Sequence, residues 1–292
     1  NLSGQLKKTI IKIVWEALKV LQKCKKNLVY PESLNDYFVN VSKNITSTIL
    51  PQQDPISYLS NSRQVSNSFF LRPVDNSELI QTINSIKSKS SCSTDELSIK
   101  FFSNLTENVL EILLSLINDS FEKGKFPECL KTAIIIPLHK GGEKSDACNY
   151  RPIALLPVLS KIIERLIKTR LMSFIVDNNI LSQNQFGFLT NKCTTDAMFS
   201  VLHEVYQALN NNLYTATVFC DYAKAFDCVN HDILITKLNF YGIRGISLNW
   251  FQSYLNNRKQ LVRANDTDSS LKNIVCGVHK VQYWVLYCSL SL

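Results

Sequence analysis

The chain has 292 residues, 45% of them apolar, and a mean hydropathy of −0.02. That is enough for one large domain or two ordinary ones, and it excludes a wholly disordered chain. The net charge of +8 suits a polyanionic partner and equally suits a mildly basic soluble protein. The nine cysteines contain no C-x-x-C pair and are odd in number. They argue against a zinc site and a disulfide framework, and fit a reducing interior better.

In chain order, Leu6 to Leu21 is apolar but interrupted by Lys7, Lys8, Lys12, Glu16 and Lys19, a spacing that predicts an amphipathic helix. No small-residue cleavage site follows and the segment cannot span a bilayer, so the expected location is intracellular, nucleus or cytoplasm, without a membrane. Pro51 to Ser68 is polar and reads as a linker, which makes residues 1–75 an N-terminal helix and linker. The first residue is Asn1 rather than methionine, as in a fragment.

Glu78 to Lys87 is a predicted helix capped at Asn76 or Ser77. Leu105 to Phe121 follows, with Val109, Ile112, Leu113, Leu116 and Ile117 on one face, ended by Gly124 and Pro127. Thr132 to Leu138 is a predicted buried strand, and Lys140-Gly141-Gly142 a turn with an exposed charge. Pro157 to Phe174 places Leu159, Ile162, Ile163, Leu166, Ile167 and Leu171 inward, with Lys161, Glu164, Arg165, Lys168 and Arg170 outward. Thr194 to Leu209 is a helix led by Thr194 and Thr195 as caps. Tyr214 to Cys220 is a β-rich run ending at Asp221, and His231 to Tyr241 a helix begun by His231 and Asp232. Strands and helices mix without strict alternation, which predicts an α+β class.

The chemistry concentrates in Phe219-Cys220-Asp221-Tyr222-Ala223-Lys224-Ala225-Phe226-Asp227. A carboxylate at a strand end holds a divalent cation in phosphoryl transfer, or else simply caps a turn, and this segment alone does not decide between them. Two further motifs precede it: Asn149 to Pro157 (NYRPIALLP), then Gln185-Phe186-Gly187-Phe188 with Thr194-Thr195-Asp196-Ala197. In this order and spacing the three closely resemble the reverse transcriptase domain of non-LTR retrotransposons, particularly the jockey-like group, over about residues 74–278.

The resemblance implies a right-hand polymerase, fingers and partial palm over residues 76–278 with the thumb absent, that uses magnesium to extend a DNA primer on an RNA template with dNTPs. By position, Asp221 is the first metal-binding and catalytic aspartate. Lys140, Arg151, Tyr222 and Phe226 fall at the nucleotide. Arg151 is the triphosphate contact, a planar fork suited to phosphate, and Phe226 the bulky residue that excludes a ribose 2′-hydroxyl. Gln185, Phe186, Gly187 and Lys192 fall at the template, with Gly187 allowing a tight backbone. Lys140 and Lys192 read equally well as solvated surface lysines, and Phe226 as a core aromatic. Asp227 reads as structural support.

The sequence departs from the family after Cys276-Gly277-Val278. The family continues with Pro-Gln-Gly-Ser and then a hairpin bearing paired aspartates; here residues 279–292 follow, and no Asp or Glu occurs after Asp268. Back-translated with suitable synonyms and read with one added cytosine, those residues spell Pro-Gln-Gly-Ser-Val-Leu-Gly-Pro-Leu-Leu-Phe-Leu-Ile-Phe. The middle base of each new codon is the first base of the present one, which the residue mostly fixes. The expectation is a one-base deletion after the Val278 codon, a frameshifted tail at 279–292, and a polymerase fragment without activity whose Val218 and Phe219 lack cover. The alternatives are a nucleic-acid-binding remnant or a domesticated interaction module without catalysis.

Overall fold

The computed structural model describes residues 30–46, 57, 59, 64–86, 97–189, 191–221 and 224–278. The predicted helix at Leu6–Leu21, most of the Pro51–Ser68 stretch, Lys87, Tyr222 and the tail from His279 lie outside these residues.

The elements in order are α1 (Pro31–Thr46), α2 (Asn76–Ser85), α3 (Ile99–Phe102), α4 (Glu107–Glu122), β1 (Thr132–His139), β2 (Tyr150–Leu155), α5 (Val158–Asp177), α6 (Thr194–Asn210), α7 (His231–Phe240), α8 (Gly245–Leu255), β3 (Lys259–Ala264), β4 (Thr267–Asp268) and β5 (Lys272–Asn273). The fold is mixed α/β. Its sheet is mixed as well: the order is β2-β1-β3-β4, β1 runs parallel to β3 and antiparallel to β2, and β5 pairs antiparallel with β3.

The helices are capped by side chains one residue away from the expected ones. Asp75, rather than Asn76 or Ser77, accepts from the Glu78 N–H at the start of α2. At α6 the N-cap is Cys193, whose N–H donates to Asp196, and not Thr194 or Thr195. Asn230 caps α7 by accepting from the Asp232 and Ile233 amides, so His231 and Asp232 do open that helix. Replacing Asn230 with alanine is expected to cost about 1 kcal/mol of stability, read from a denaturant midpoint.

The main core gathers α4, α5 and α8 around Trp250, which is fully buried. Its ring lies 5.5 Å from that of Tyr254 at 12°, meets Phe121 edge-on, and its indole N–H donates to Ser120 at 3.0 Å. A smaller core of Leu34, Ala133, Ile135, Ala154, Leu156 and Val262 joins α1 to the sheet. There Asn35, buried, donates to Ser269 and to the Ser270 carbonyl and accepts from Gln260.

Beside it, Glu32 accepts from the Ser270 amide and hydroxyl and pairs with Lys272 at 2.7 Å. Those hydrogen bonds, the one from Lys272 foremost, hold its carboxyl down at about 2. A depressed carboxylate stabilises the fold above its ordinary range and loses that contribution as pH falls. The α1–β5 contact is therefore expected to persist at neutral pH and loosen between roughly pH 4.5 and 2. Proteolytic cleavage within α1, followed against pH, measures this, and Glu32→Gln should flatten the response.

Two residues expected to face water on α5 are buried. Arg170 forks onto Glu78, its Nε donating at 2.8 Å, and also donates to the Arg72 and Pro73 carbonyls. Glu164 accepts from the Tyr254 hydroxyl at 2.7 Å and from Ser160 at 3.0 Å. A helix packed between several neighbours buries more than one stripe, and its polar groups are tolerated there because each has partners. On α4 the error runs the other way: Leu113 and Ile117 are buried, whereas Val109, Ile112 and Leu116 are exposed.

The predicted strand at Tyr214–Cys220 does not form. Residues 213–221 follow no regular structure, and every one of them is exposed. Val218 is 85% and Phe219 88% exposed, as expected for side chains without cover. A strand is made by its neighbours' hydrogen bonds, and among the described residues no strand pairs with this run. The preceding helix α6 likewise buries none of its residues.

Candidate nucleotide and template site

The site is built from a hairpin, a turn and a loop. In the β1–β2 hairpin Leu138 pairs with Arg151 and His139 with Tyr150. Pro137 and Pro152 stand opposite each other, neither with an N–H to donate. The Lys140 amide donates to the Asn149 carbonyl at 2.9 Å and closes the ladder. The connecting loop is tied by the Asn149 side chain on the Glu143 carbonyl and the Tyr150 hydroxyl on the Lys144 carbonyl. Gly142 turns there with φ +83, where a Cβ would meet the Asn149 side chain at 2.7 Å. The hairpin thus presents Lys140 and Arg151 on one tip, both exposed.

Asp221 ends the exposed run and is itself exposed. After it the chain turns tightly at Lys224, in the left-handed region at φ 54, with the Asp227 and Cys228 amides both donating to the Lys224 carbonyl. The Lys224 ammonium donates to the Tyr37 hydroxyl at 2.5 Å and lies 4.6 Å from that ring's centre. This turn is clamped from behind. The Val278 amide donates to the Phe226 carbonyl at 2.9 Å, and the Gly277 amide to that of Val229 at 2.8 Å. His231 Nε2 lies 2.8 Å from the Gly277 carbonyl oxygen. Gly277, at φ +83, cannot be replaced: a Cβ would stand 2.8 Å from the Asp227 carbonyl oxygen.

Hairpin and turn meet. Tyr150 and Pro152 share a cavity of about 30 Å³ with Lys224 and Asp227. A larger one, about 100 Å³, lies between Pro152, Ala154, Asp227, Arg258 and Val278. Burial, then the neighbouring Asp227 and Cys276, push the Cys228 thiol up.

The loop over 182–189 joins through Phe188, whose ring meets that of Phe226 edge-on at 6.3 Å. Phe226 is half-buried against the main core, so its core-aromatic reading holds in part. Lys192 lies 4.7 Å from the Phe186 ring centre and donates to the Gln183 carbonyl at 2.5 Å, holding the loop together. Gln185 has both side-chain polar atoms buried without a hydrogen-bond partner among the described residues. Gly187 is not the tight point of this loop. A Cβ there meets nothing within 4 Å, and the left-handed residue is Phe188, at φ 66.

Phe226 and the loop over 182–189 are therefore brought together, and Lys140 and Arg151 share the neighbouring hairpin. Asp221 is exposed at the end of the irregular run 213–221. Among the described residues no three His, Cys, Asp or Glu side chains are grouped to hold a metal ion. A lone exposed carboxylate does not fit a pair of magnesium ions, each of which needs several oxygen ligands. Sequence reasoning missed Lys224, Tyr37, His231 and Gly277 as the residues that fix the turn. Their signal is the spatial pairing of 226–229 with 277–278, which no periodicity encodes.

Residues 139–278 match the family described as reverse transcriptase (RNA-dependent DNA polymerase). The chain is 31% identical over 215 residues to a probable RNA-directed DNA polymerase from transposon BS of Drosophila melanogaster, covering 71% of this chain and 23% of that protein. It is 34% identical over 175 residues to the RNA-directed DNA polymerase from mobile element jockey of the same species, 60% of this chain and 19% of that protein. To the probable RNA-directed DNA polymerase from transposon X-element it is 33% identical over 175 residues, 57% and 18%. The chain thus spans less than a quarter of the length of these relatives. No helix among the described residues is long and apolar enough to cross a membrane. Over its matched residues the chain belongs to the reverse transcriptases of jockey-like non-LTR retrotransposons.

Proposed function

We propose that residues 76–278 are the fingers and part of the palm of an RNA-directed DNA polymerase, the part that receives the nucleotide and the template. The observation that supports this reading is the contact between the β1–β2 hairpin, with Lys140 and Arg151 at its tip, and the turn from Lys224 to Asp227. A guanidinium and an ammonium beside a carboxylate-bearing turn are what a triphosphate and its reacting end require. Arg151 and Lys140 hold the triphosphate, and Tyr222 and Phe226 line the sugar side, where the Phe226 ring refuses a 2′-hydroxyl. Gln185, Phe186, Gly187 and Lys192 face the template. The buried amide of Gln185, without a partner among the described residues, supports this, since such a group is costly unless something reaches it.

Reverse transcriptases are nucleotidyltransferases that use divalent metals, magnesium in this reading. One carboxylate, Asp221, cannot hold two such ions against their mutual repulsion and their hydration. The other two aspartates belong to the frame that follows a one-base deletion after Val278, and residues 279–292 are that deletion's tail. Genomic codons that cannot spell the Pro-Gln-Gly-Ser reading would remove this part of the account. The exposure of Val218, Phe219 and α6 agrees with it, because apolar groups in these numbers await a cover.

The expected biochemistry of the chain itself is binding without turnover. Magnesium and dNTPs should give no primer extension. A primer–template should bind through the basic hairpin with an affinity that falls steeply as salt rises. Salt-insensitive binding to a protein instead would favour a domesticated interaction module.

A further inference from the structure

Helix α4 carries an apolar and an acidic surface side by side. Leu113, Ile117 and Phe121 turn inward, while Val109, Ile112 and Leu116 form a second stripe at i, i+3 and i+7 that stays in water. Ile112 is 60% and Leu116 56% exposed. A stripe with this spacing is the kind that packs against another helix. Along the same helix stand Glu107, Glu111, Asp119 and Glu122, with no Lys or Arg within its span. Lys123, at the C-cap, is taken up by Asp119. At 100° per residue Asp119 borders the apolar stripe, and Glu111 and Glu122 lie beyond it.

We propose that this face is the seat of the chain's own segment Leu6–Leu21. In that segment Leu6, Ile10, Ile13, Val14, Ala17 and Leu21 recur at helical spacing, and Lys7, Lys8, Lys12 and Lys19 stand against one acid, Glu16. Apolar stripe meets apolar stripe, and the lysines fall on the acidic flank, so charge fixes which way the two lie together. The exposed face of α6 is larger but fits less well, with only Asp196 and Glu204 as acids. Gln22 to Val29 links the segment to Tyr30, and eight extended residues reach about 26 Å. The proposal concerns residues outside the polymerase site and does not depend on the function proposed for that site.

The test uses the full chain, an equal mixture of unlabelled and nitrogen-15-labelled protein, and a zero-length carbodiimide cross-linker. Cross-links from Lys7, Lys8, Lys12 or Lys19 to Glu107, Glu111, Asp119 or Glu122, within a single isotopic species, are expected. Leu116→Asp lies on an exposed face and should leave the thermal melt unchanged. It should also speed amide exchange of the segment's own peptide on the order of tenfold. No such cross-links, cross-links that join labelled to unlabelled chains, or exchange that Leu116→Asp leaves unchanged would each overturn the proposal.

Discussion

In a chain returned to the longer frame, Asp221→Asn should reduce RNA-templated primer extension by roughly 10⁴-fold, with little change in fold. The carboxylate is exposed and is not part of either core, so its replacement takes away charge without leaving a hole. Groups that act as one unit fail together, which is why one lost ligand costs nearly as much as several. Phe226→Ala is the informative companion. Its ring packs on Phe188 and on the main core, so the variant should lose some stability and also admit ribonucleotides more readily. A Phe226→Ala chain that is less stable yet discriminates against ribonucleotides unchanged would confine that residue to the core.

The largest expected effect on stability is at Arg258, a side chain only 2% exposed. Its Nη1 donates to the Tyr254 carbonyl at 3.3 Å and its guanidinium lies 4.7 Å from the Tyr254 ring centre, while Nε and Nη2 have no hydrogen-bond partner among the described residues. Nearby Glu164 is fully enclosed; burial raises its pKa, and the charge of Arg258 pulls it back. Burial, with Glu164 beside it, pushes the Tyr254 hydroxyl well up. Arg258→Ala removes the cation that offsets the buried Glu164 and leaves a hole beside Tyr254, and is expected to cost about 3–5 kcal/mol in urea unfolding. The paired change Arg258→Met with Glu164→Leu should recover most of that, since apolar replacements for buried charged groups are often neutral or better. A paired variant as unstable as Arg258→Ala would mean that the charges themselves hold the fold.

Much of this was legible from residue order. The strand at 132–138, the helices at 158–177, 194–210 and 231–240, and the turn at Lys140-Gly141-Gly142 follow from periodicity and from glycine. What failed depended on neighbours. The run Tyr214–Cys220 has the β-branched and aromatic content of a strand, but content cannot supply the adjacent chain that makes one. Glu164 and Arg170 look like surface charges until Tyr254, Ser160 and Glu78 are placed against them. The Asp221, Arg151 and Gln185 motifs stood out as words, whereas the residues that set the turn, Lys224 with Tyr37 and Gly277 with His231, are each ordinary in sequence.

We propose that this chain is the nucleotide- and template-receiving part of a reverse transcriptase whose remaining carboxylates lie one frame away. The most direct test is magnesium-dependent primer extension on an RNA template. The chain is compared with a version that reads Pro-Gln-Gly-Ser after Val278 and runs on through the paired aspartates. Extension by the longer version alone is the expected result, and it would tie catalysis to the frame. Extension by the chain itself would overturn this reading, because one exposed aspartate would then suffice.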